Sequence, residues 1–252
     1  HPDRRPGHLR GAPDGLFRFC KEIVDATHDL VLAFKPQIAY FAAQGAEDQL
    51  RRLIAYIHDS TEIAVILDAK RADIASTSRM YAREAFEIYG ADALTVNPYF
   101  GLDSLQPFLD HREKGIIILC RTSNPGGAEI QNLMTMDGVP IYEVVARKAA
   151  REWNRHGNVL LVAGATHPGE LARIREIAGG MTLLIPGVGA QGGEVTAMIE
   201  SARGGGVIIS SSRAVIFAGA DRNFADAARR AALATRNSIN DTLHAIRDDI
   251  RA

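Results

Sequence analysis

Lys35, Asp68, Lys70 and Asp73 are the residues whose types and spacing promise chemistry. An apolar run over residues 63–67 ends abruptly in Asp68-Ala69-Lys70-Arg71-Ala72-Asp73-Ile74. Strand side chains alternate faces, so Ile66, Asp68 and Lys70 share one face, and Leu67 and Ala69 the other. Charged groups at the edge of a core are costly unless paired. Lys35 closes the preceding apolar run. With Asp68, Lys70 and Asp73 it can form an array of alternating cations and anions, in which opposite neighbours hold each group charged. A lysine kept cationic is a poor Schiff-base nucleophile but a good electrostatic stabiliser and proton donor. The plainer reading makes these residues solvated strand ends, with Asp73 as a helix N-cap.

A second set of residues suits an anion. Gly187-Val188-Gly189-Ala190-Gln191-Gly192-Gly193 precedes a helical pattern, and Ser210-Ser211-Ser212-Arg213 follows the last apolar run. Backbone N–H groups of a Gly-rich turn and a helix N-terminus bind anions. Arg213 can add a charge-assisted contact. Together the two segments point to phosphate. They match the dinucleotide fingerprint poorly, because no acidic residue follows about 20 positions on at a second strand end. Asn97 and Ser123 can hydrogen-bond a ligand or merely cap strand ends. His167 can act as a base, although a lone loop histidine is more often a surface or capping residue. No His, Cys, Asp or Glu group has metal-ligand spacing, so neither a metal nor another cofactor is expected.

Alternating periodicities supply the elements that must position these residues. Residues 1–15 read as an irregular arm. Helical patterns cover 16–26, 47–58, 76–89, 102–111, 141–156, 168–178 and 194–202, and two more, 223–236 and 237–251, follow. Continuous apolar runs near residues 30, 63, 93, 115, 158, 182 and 207 read as seven strands. Residues 124–140 read as a long mobile loop. Apolar runs without alternation belong to parallel sheets covered on both faces. Strand–helix repetition at about 30 residues gives a parallel α/β fold. A closed (β/α)8 TIM barrel needs eight strands. The expected architecture is one such barrel domain over residues 1–252, with its first strand ahead of His1 and a C-terminal helix over 237–252. An open doubly wound sheet is the alternative. The barrel is preferred because it would gather the polar strand ends, Lys35, Asp68 with Lys70, Asn97, Ser123, His167, Gln191 and Ser212 with Arg213, into one site.

Composition narrows the partners. The 252 residues are 46% hydrophobic and 23% charged, with net charge −1, ordinary for a soluble globular chain. That balance gives no reason to expect nucleic acid or a membrane surface. No apolar run approaches the roughly 18–20 residues of a spanning helix. Residues 1–13 lack a signal-peptide pattern. Cys20 and Cys120 lie in apolar runs as buried thiols, which fits a reducing cytoplasm.

Taken together, the motifs resemble one family. Asp68-Ala69-Lys70-Arg71-Ala72-Asp73-Ile74 is similar to the Asp-x-Lys-x-x-Asp-Ile signature of orotidine 5'-phosphate decarboxylases. Lys35-Pro36, Thr95-Val96-Asn97-Pro98, Arg121-Thr122-Ser123-Asn124-Pro125-Gly126, the Gly-rich segment from Pro186 and Ser210-Ser211-Ser212-Arg213 resemble its other motifs, in order. The spacing looks like that of the longer bacterial form. The resemblance implies cofactor-free decarboxylation of orotidine 5'-phosphate to uridine 5'-phosphate in pyrimidine biosynthesis, by a homodimer. It makes Lys70 the residue that stabilises and protonates the C6 carbanion and sets Asp68 against the substrate carboxylate. Lys35 would touch ribose and brace Asp68. Asp73 and Thr77 would reach into the partner's site. Ser123 would bind the pyrimidine, Gln191 bridge base and phosphate, and Arg213 hold the phosphate. Asn97, Pro186, Gly189 and Ser212 complete the implied substrate contacts. Family members usually carry Gly where Ala72 stands, and their first strand supplies a ribose-binding aspartate that would lie before His1. A metal-dependent sugar-phosphate lyase of the same barrel superfamily is the alternative.

Overall fold

The structure, a computed structural model, describes residues 4–164, 166, 168–187 and 192–251, with the side chains of 192–194 and 247–251 excepted. Seven strands run through it: β1 (Ala33–Phe34), β2 (Ala64–Arg71), β3 (Ala93–Val96), β4 (Gly115–Arg121), β5 (Val159–Ala163), β6 (Leu183–Pro186) and β7 (Val207–Ser210). They form one sheet in sequence order, and every neighbouring pair is parallel. The helices are α1 (Gly15–Thr27), α2 (Ile38–Ala42), α3 (Glu47–Ser60), α4 (Ala75–Arg83), α5 (Leu102–Leu109) and α6 (Ala128–Gln131). They continue with α7 (Ile141–Lys148), α8 (Pro168–Ala178), α9 (Gly192–Ser201), α10 (Arg213–Ile216) and α11 (Phe224–Arg251). Among the described residues β1 and β7 each pair on one side only. This is the sheet of a (β/α)8 barrel with seven strands in place.

Alternation along the strands separates two layers of core. Ile66, Ile117, Val162 and Leu184 pack together on the inner face, with Ala33, Ala93, Leu119, Leu160 and Ile208 against them. Their neighbours in sequence, such as Leu67, Leu94, Ile118, Leu161 and Ile185, join the helices in the larger outer core. Runs such as Ile116-Ile117-Ile118 are therefore apolar throughout because both faces are covered. A third cluster joins α1 to α11: Leu9, Phe19, Ile23, Phe224 and Ala228. Arg229 reinforces it by donating to the Asp29 carboxylate at 2.6 and 2.8 Å and to the Ala26 carbonyl at 2.7 Å.

Several boundaries differ from the sequence pattern. The first strand is only two residues long, because Asp29 is drawn into a 3-10 turn (His28–Leu30) by Arg229. β2 continues past Asp68 to Arg71. α2 was not expected; Gln37 caps it by accepting the Ala39 N–H at 3.1 Å. α4 and α7 both end in π-helical turns, Glu84–Ile88 and Ala149–Trp153. The two C-terminal helices are one, α11, since no Gly or Pro interrupts residues 224–251. The segment 124–140 contains a 3-10 turn, α6 and a bridge between Met134 and Pro140. Cys120 is buried but Cys20 only partly so, and desolvation pushes both thiols up to about 12.

Candidate active site

The inner face ends, at its C-terminal rim, in polar residues. Ile66 on β2 is followed two positions on by Asp68, and Ala93 on β3 by Thr95. Asp68 and Thr95 are both buried. The Asp68 carboxylate divides its oxygens between two lysines. Lys35 Nζ donates to Oδ2 at 2.7 Å, and Lys70 Nζ to Oδ1 at 2.5 Å. Thr95 Oγ1 also donates to Oδ1, at 3.0 Å. The Asp68 backbone N–H meets the Pro36 carbonyl at 2.9 Å, which docks the end of β1 beside β2. Burial pushes the Asp68 carboxyl upward. Attraction by Lys35, with hydrogen bonds from Lys35 and Lys70, outweighs this and holds it below the usual carboxylate range. The anion is thus fixed between two cations.

Lys70 does not reach this position by simple alternation. The β2–β3 register shifts between Leu67 and Arg71, and Lys70 adopts φ 50°. That left-handed backbone is uncommon for a residue with a side chain and concentrates at functional sites. Beyond it, Arg71 forms a two-pronged pair with Glu84, at 2.9 and 3.0 Å, and its guanidinium lies 4.7 Å over the Tyr81 ring. Ala72 does not have positive φ, so its methyl is compatible with this backbone.

Asp73 is not an N-cap. Ile74 occupies that position, and the Asp73 carboxylate accepts the adjacent Ile74 N–H at 2.7 Å. Among the described residues Asp73 makes no ion pair and no hydrogen bond to Lys35 or Lys70, so the fourth charge of the expected array is not bonded into it within one chain. Thr77, half-buried on α4, lies one turn further on.

Of the expected ligand contacts, Asn97 does cap its strand end: its Oδ1 accepts the Tyr99 N–H at 3.0 Å, leaving its amide nitrogen for other partners. Ser123 sits where β4, β5 and β6 converge. A Cβ on Gly164 would meet Ser123 Cα and N at 2.9 Å, and one on Gly187, whose φ is 90°, would lie 3.6 Å from Ser123 Oγ. These glycines let three strand ends close on the serine. Pro186 pairs with Ser210 across β6 and β7, and Ser212 and Arg213 follow, both exposed. Gly189, Gln191 and His167 lie outside the described residues.

The sequence reading gave no role to the groups that brace the site. Thr95 has a place in the sequence reading only within Thr95-Val96-Asn97-Pro98, although it is the one polar side chain in β3. Buried Arg121 pairs with Glu170 at 2.7 Å and donates to the Thr122 carbonyl at 2.7 Å. Gln131 on α6 accepts the Thr122 N–H at 2.9 Å, and Asn132 donates to Glu170 at 2.9 Å. This network ties the segment after β4, and hence Ser123, to α8. Its only sequence signal was a charge at the end of an isoleucine run.

A parallel barrel that gathers two lysines and a buried carboxylate at its C-terminal rim is a barrel enzyme, since that rim is where such folds carry their chemistry. Comparison with known proteins narrows the class. The pattern described as the orotidine 5'-phosphate decarboxylase / HUMPS family matches residues 17–229. An orotidine 5'-phosphate decarboxylase of Aromatoleum aromaticum is 59% identical over 243 residues, covering 95% of this chain and 90% of that protein. That of Ralstonia pickettii is also 59% identical over 243 residues, covering 95% and 89%. The solved Leishmania donovani OMP decarboxylase superposes with a TM-score of 0.78 at 37% identity, covering 93% of this chain and 92% of its own. The chain belongs to the orotidine 5'-phosphate decarboxylase / HUMPS family.

Proposed function

We propose that this protein decarboxylates orotidine 5'-phosphate to uridine 5'-phosphate, as its curated relatives are named for doing. The observation that carries the reading is the Lys35–Asp68–Lys70 cluster at the barrel rim. Breaking the C6–carboxylate bond releases CO2 and leaves the electron pair on C6, where the ring offers no electron sink. Lys70 stabilises that pair through its charge and then donates an Nζ proton to C6; solvent restores the proton. A preorganised cation in a water-poor site is a large source of such stabilisation. Asp68, held ionised, faces the substrate carboxylate and disfavours the ground state relative to the neutral product. Lys35 braces Asp68 and contacts ribose. Ser123 and Asn97 meet the pyrimidine side. Gln191 bridges base and phosphate, and Pro186, Gly189, Ser212 and Arg213 take the phosphate end, where binding energy helps close the site.

The same reading makes the working unit a cytoplasmic homodimer. Ile74 before α4, Met80 on α4, Tyr99 and Phe100 between β3 and α5, and Leu102 at the start of α5 are exposed, and exposed apolar side chains gathered at one end of a fold suit an interaction surface. Asp73 and Thr77 border that surface and would enter the site of the second copy. Among the described residues no helix is long and apolar enough to cross a membrane.

The test is the loss of orotidine 5'-phosphate absorbance on mixing with purified protein, with and without chelator. Expected are chelator-insensitive turnover and a Lys70→Ala variant that binds nucleotide but turns over slower by several orders of magnitude, each tenfold being about 1.4 kcal/mol. An unchanged absorbance sinks the activity. Near-normal turnover in Lys70→Ala sinks the role of Lys70, and chelator-sensitive turnover favours a metal-dependent lyase.

A further inference from the structure

We propose that Thr95 is a positioning residue whose hydroxyl holds the backbone of Ala69 and Lys70 in the bulge that aims Lys70 at Asp68. The claim rests on the decarboxylase reading for its kinetic consequences and on geometry alone for its structural ones. Between Leu67 and Arg71 the β2–β3 ladder is interrupted. It resumes where the Asn97 N–H meets the Arg71 carbonyl at 3.0 Å. Inside the interruption, the N–H groups of Ala69 and Lys70 have turned away from a regular ladder. Both donate to one atom, Thr95 Oγ1, at 3.0 and 2.9 Å. The same hydroxyl donates its own proton to Asp68 Oδ1 at 3.0 Å.

A hydroxyl offers one donor and two acceptor positions, and all three are in use. Thr95 is buried and its bonds to the two amides are partly buried, so water replaces the hydroxyl only in part, and backbone N–H groups shielded from water are seldom left without partners. The bulge also carries Lys70 at φ 50°, a conformation that persists only when its surroundings over-determine it. One side chain on β3 thus fixes the main chain under Lys70 and orients the carboxylate oxygen that the Lys70 ammonium shares. Valine has the same shape and none of these bonds. Serine keeps the bonds and loses only a methyl group.

The experiment compares Thr95→Val and Thr95→Ser with wild type in amide hydrogen exchange and in steady-state decarboxylation. In Thr95→Val, the Ala69 and Lys70 amides should lose protection while the rest of β2 keeps it. Its kcat should fall on the order of 100-fold, the scale of a reacting group displaced by about 1 Å, with KM changed far less. Thr95→Ser should retain both the protection and most of the kcat. A valine variant with wild-type kcat, a serine variant as impaired as the valine one, or undiminished protection at the two amides overturns the proposal. If Thr95→Val does not fold, Thr95→Cys, a weak donor and acceptor, takes its place with the same expectations. If wild-type protein fails to decarboxylate orotidine 5'-phosphate, the functional reading falls, while exchange at the two amides still decides the role of Thr95.

Discussion

Arg175 on α8 is buried and makes no ion pair among the described residues. Its guanidinium donates only to backbone carbonyls: Ala202 at 2.8 Å, Gly179 at 2.6 Å, Met181 at 2.5 Å and Gly206 at 2.8 Å. One side chain therefore clamps the C-terminal ends of α8 and α9 to the entrances of β6 and β7. Burial pulls the guanidinium below its usual pKa. Arg175→Met keeps the stem and removes the fork. The Gly206 carbonyl retains the Leu183 N–H at 3.0 Å, which leaves three carbonyls to lose a donor. The buried Ala202 acceptor costs about 1–3 kcal/mol when left unmet and the part-exposed Gly179 and Met181 acceptors cost less; set against the desolvation the cation no longer suffers, the net loss is about 1–3 kcal/mol. For a chain of this size each kcal/mol lowers Tm by about 2–4 °C, giving a drop of about 2–12 °C. Thermal unfolding followed by circular dichroism measures it. Arg175→Lys should recover only part, because an ammonium cannot reach all four acceptors. A fall under about 2 °C in Arg175→Met would refute the clamp.

Sharing of sites between subunits predicts complementation. Mixing inactive Asp73→Asn and Lys70→Ala chains should restore one intact site per mixed dimer, read as regained turnover; no recovery refutes the sharing. The Asp68 carboxyl titrates lower when folded than the unfolded value near 3.9. Its contribution to stability is therefore complete above that value and fades as pH falls through the lower, folded one. Urea unfolding at a series of pH values should show wild type losing stability below about pH 4 more steeply than Asp68→Asn. Parallel curves would count against a depressed Asp68.

The barrel and the identity of its central charges were readable because they follow local rules. Unbroken apolar runs report strands covered on both faces, and the polar residues ending them report the rim. Alternation placed Asp68 on the inner face correctly. It also paired Lys70 with Asp68, as the structure does, but did not give the backbone that brings them together, which runs through a bulge held by Thr95 on the next strand, about one repeat away in sequence. The order in 124–140 was hidden for a similar reason, because it rests on Arg121 meeting Glu170 and Gln131 from separate elements. Asp73 looked like a cap from its spacing alone; the turn before α4 gives that place to Ile74. Nothing local to Arg175 announced that its partners would be four carbonyls from neighbouring units.

The contacts between α1 and α11 have a bearing on how the chain assembles. Each strand pairs with its sequence neighbours, so sheet contacts close loops of only one strand–helix unit, and order can spread from any of them. The Arg229–Asp29 pair instead joins residues 200 apart. The entropy of closing so long a loop is small once the intervening units stand in place, and larger if the ends must meet first. The seam between the first and last helices is thus a clasp fastened on a ring already wound.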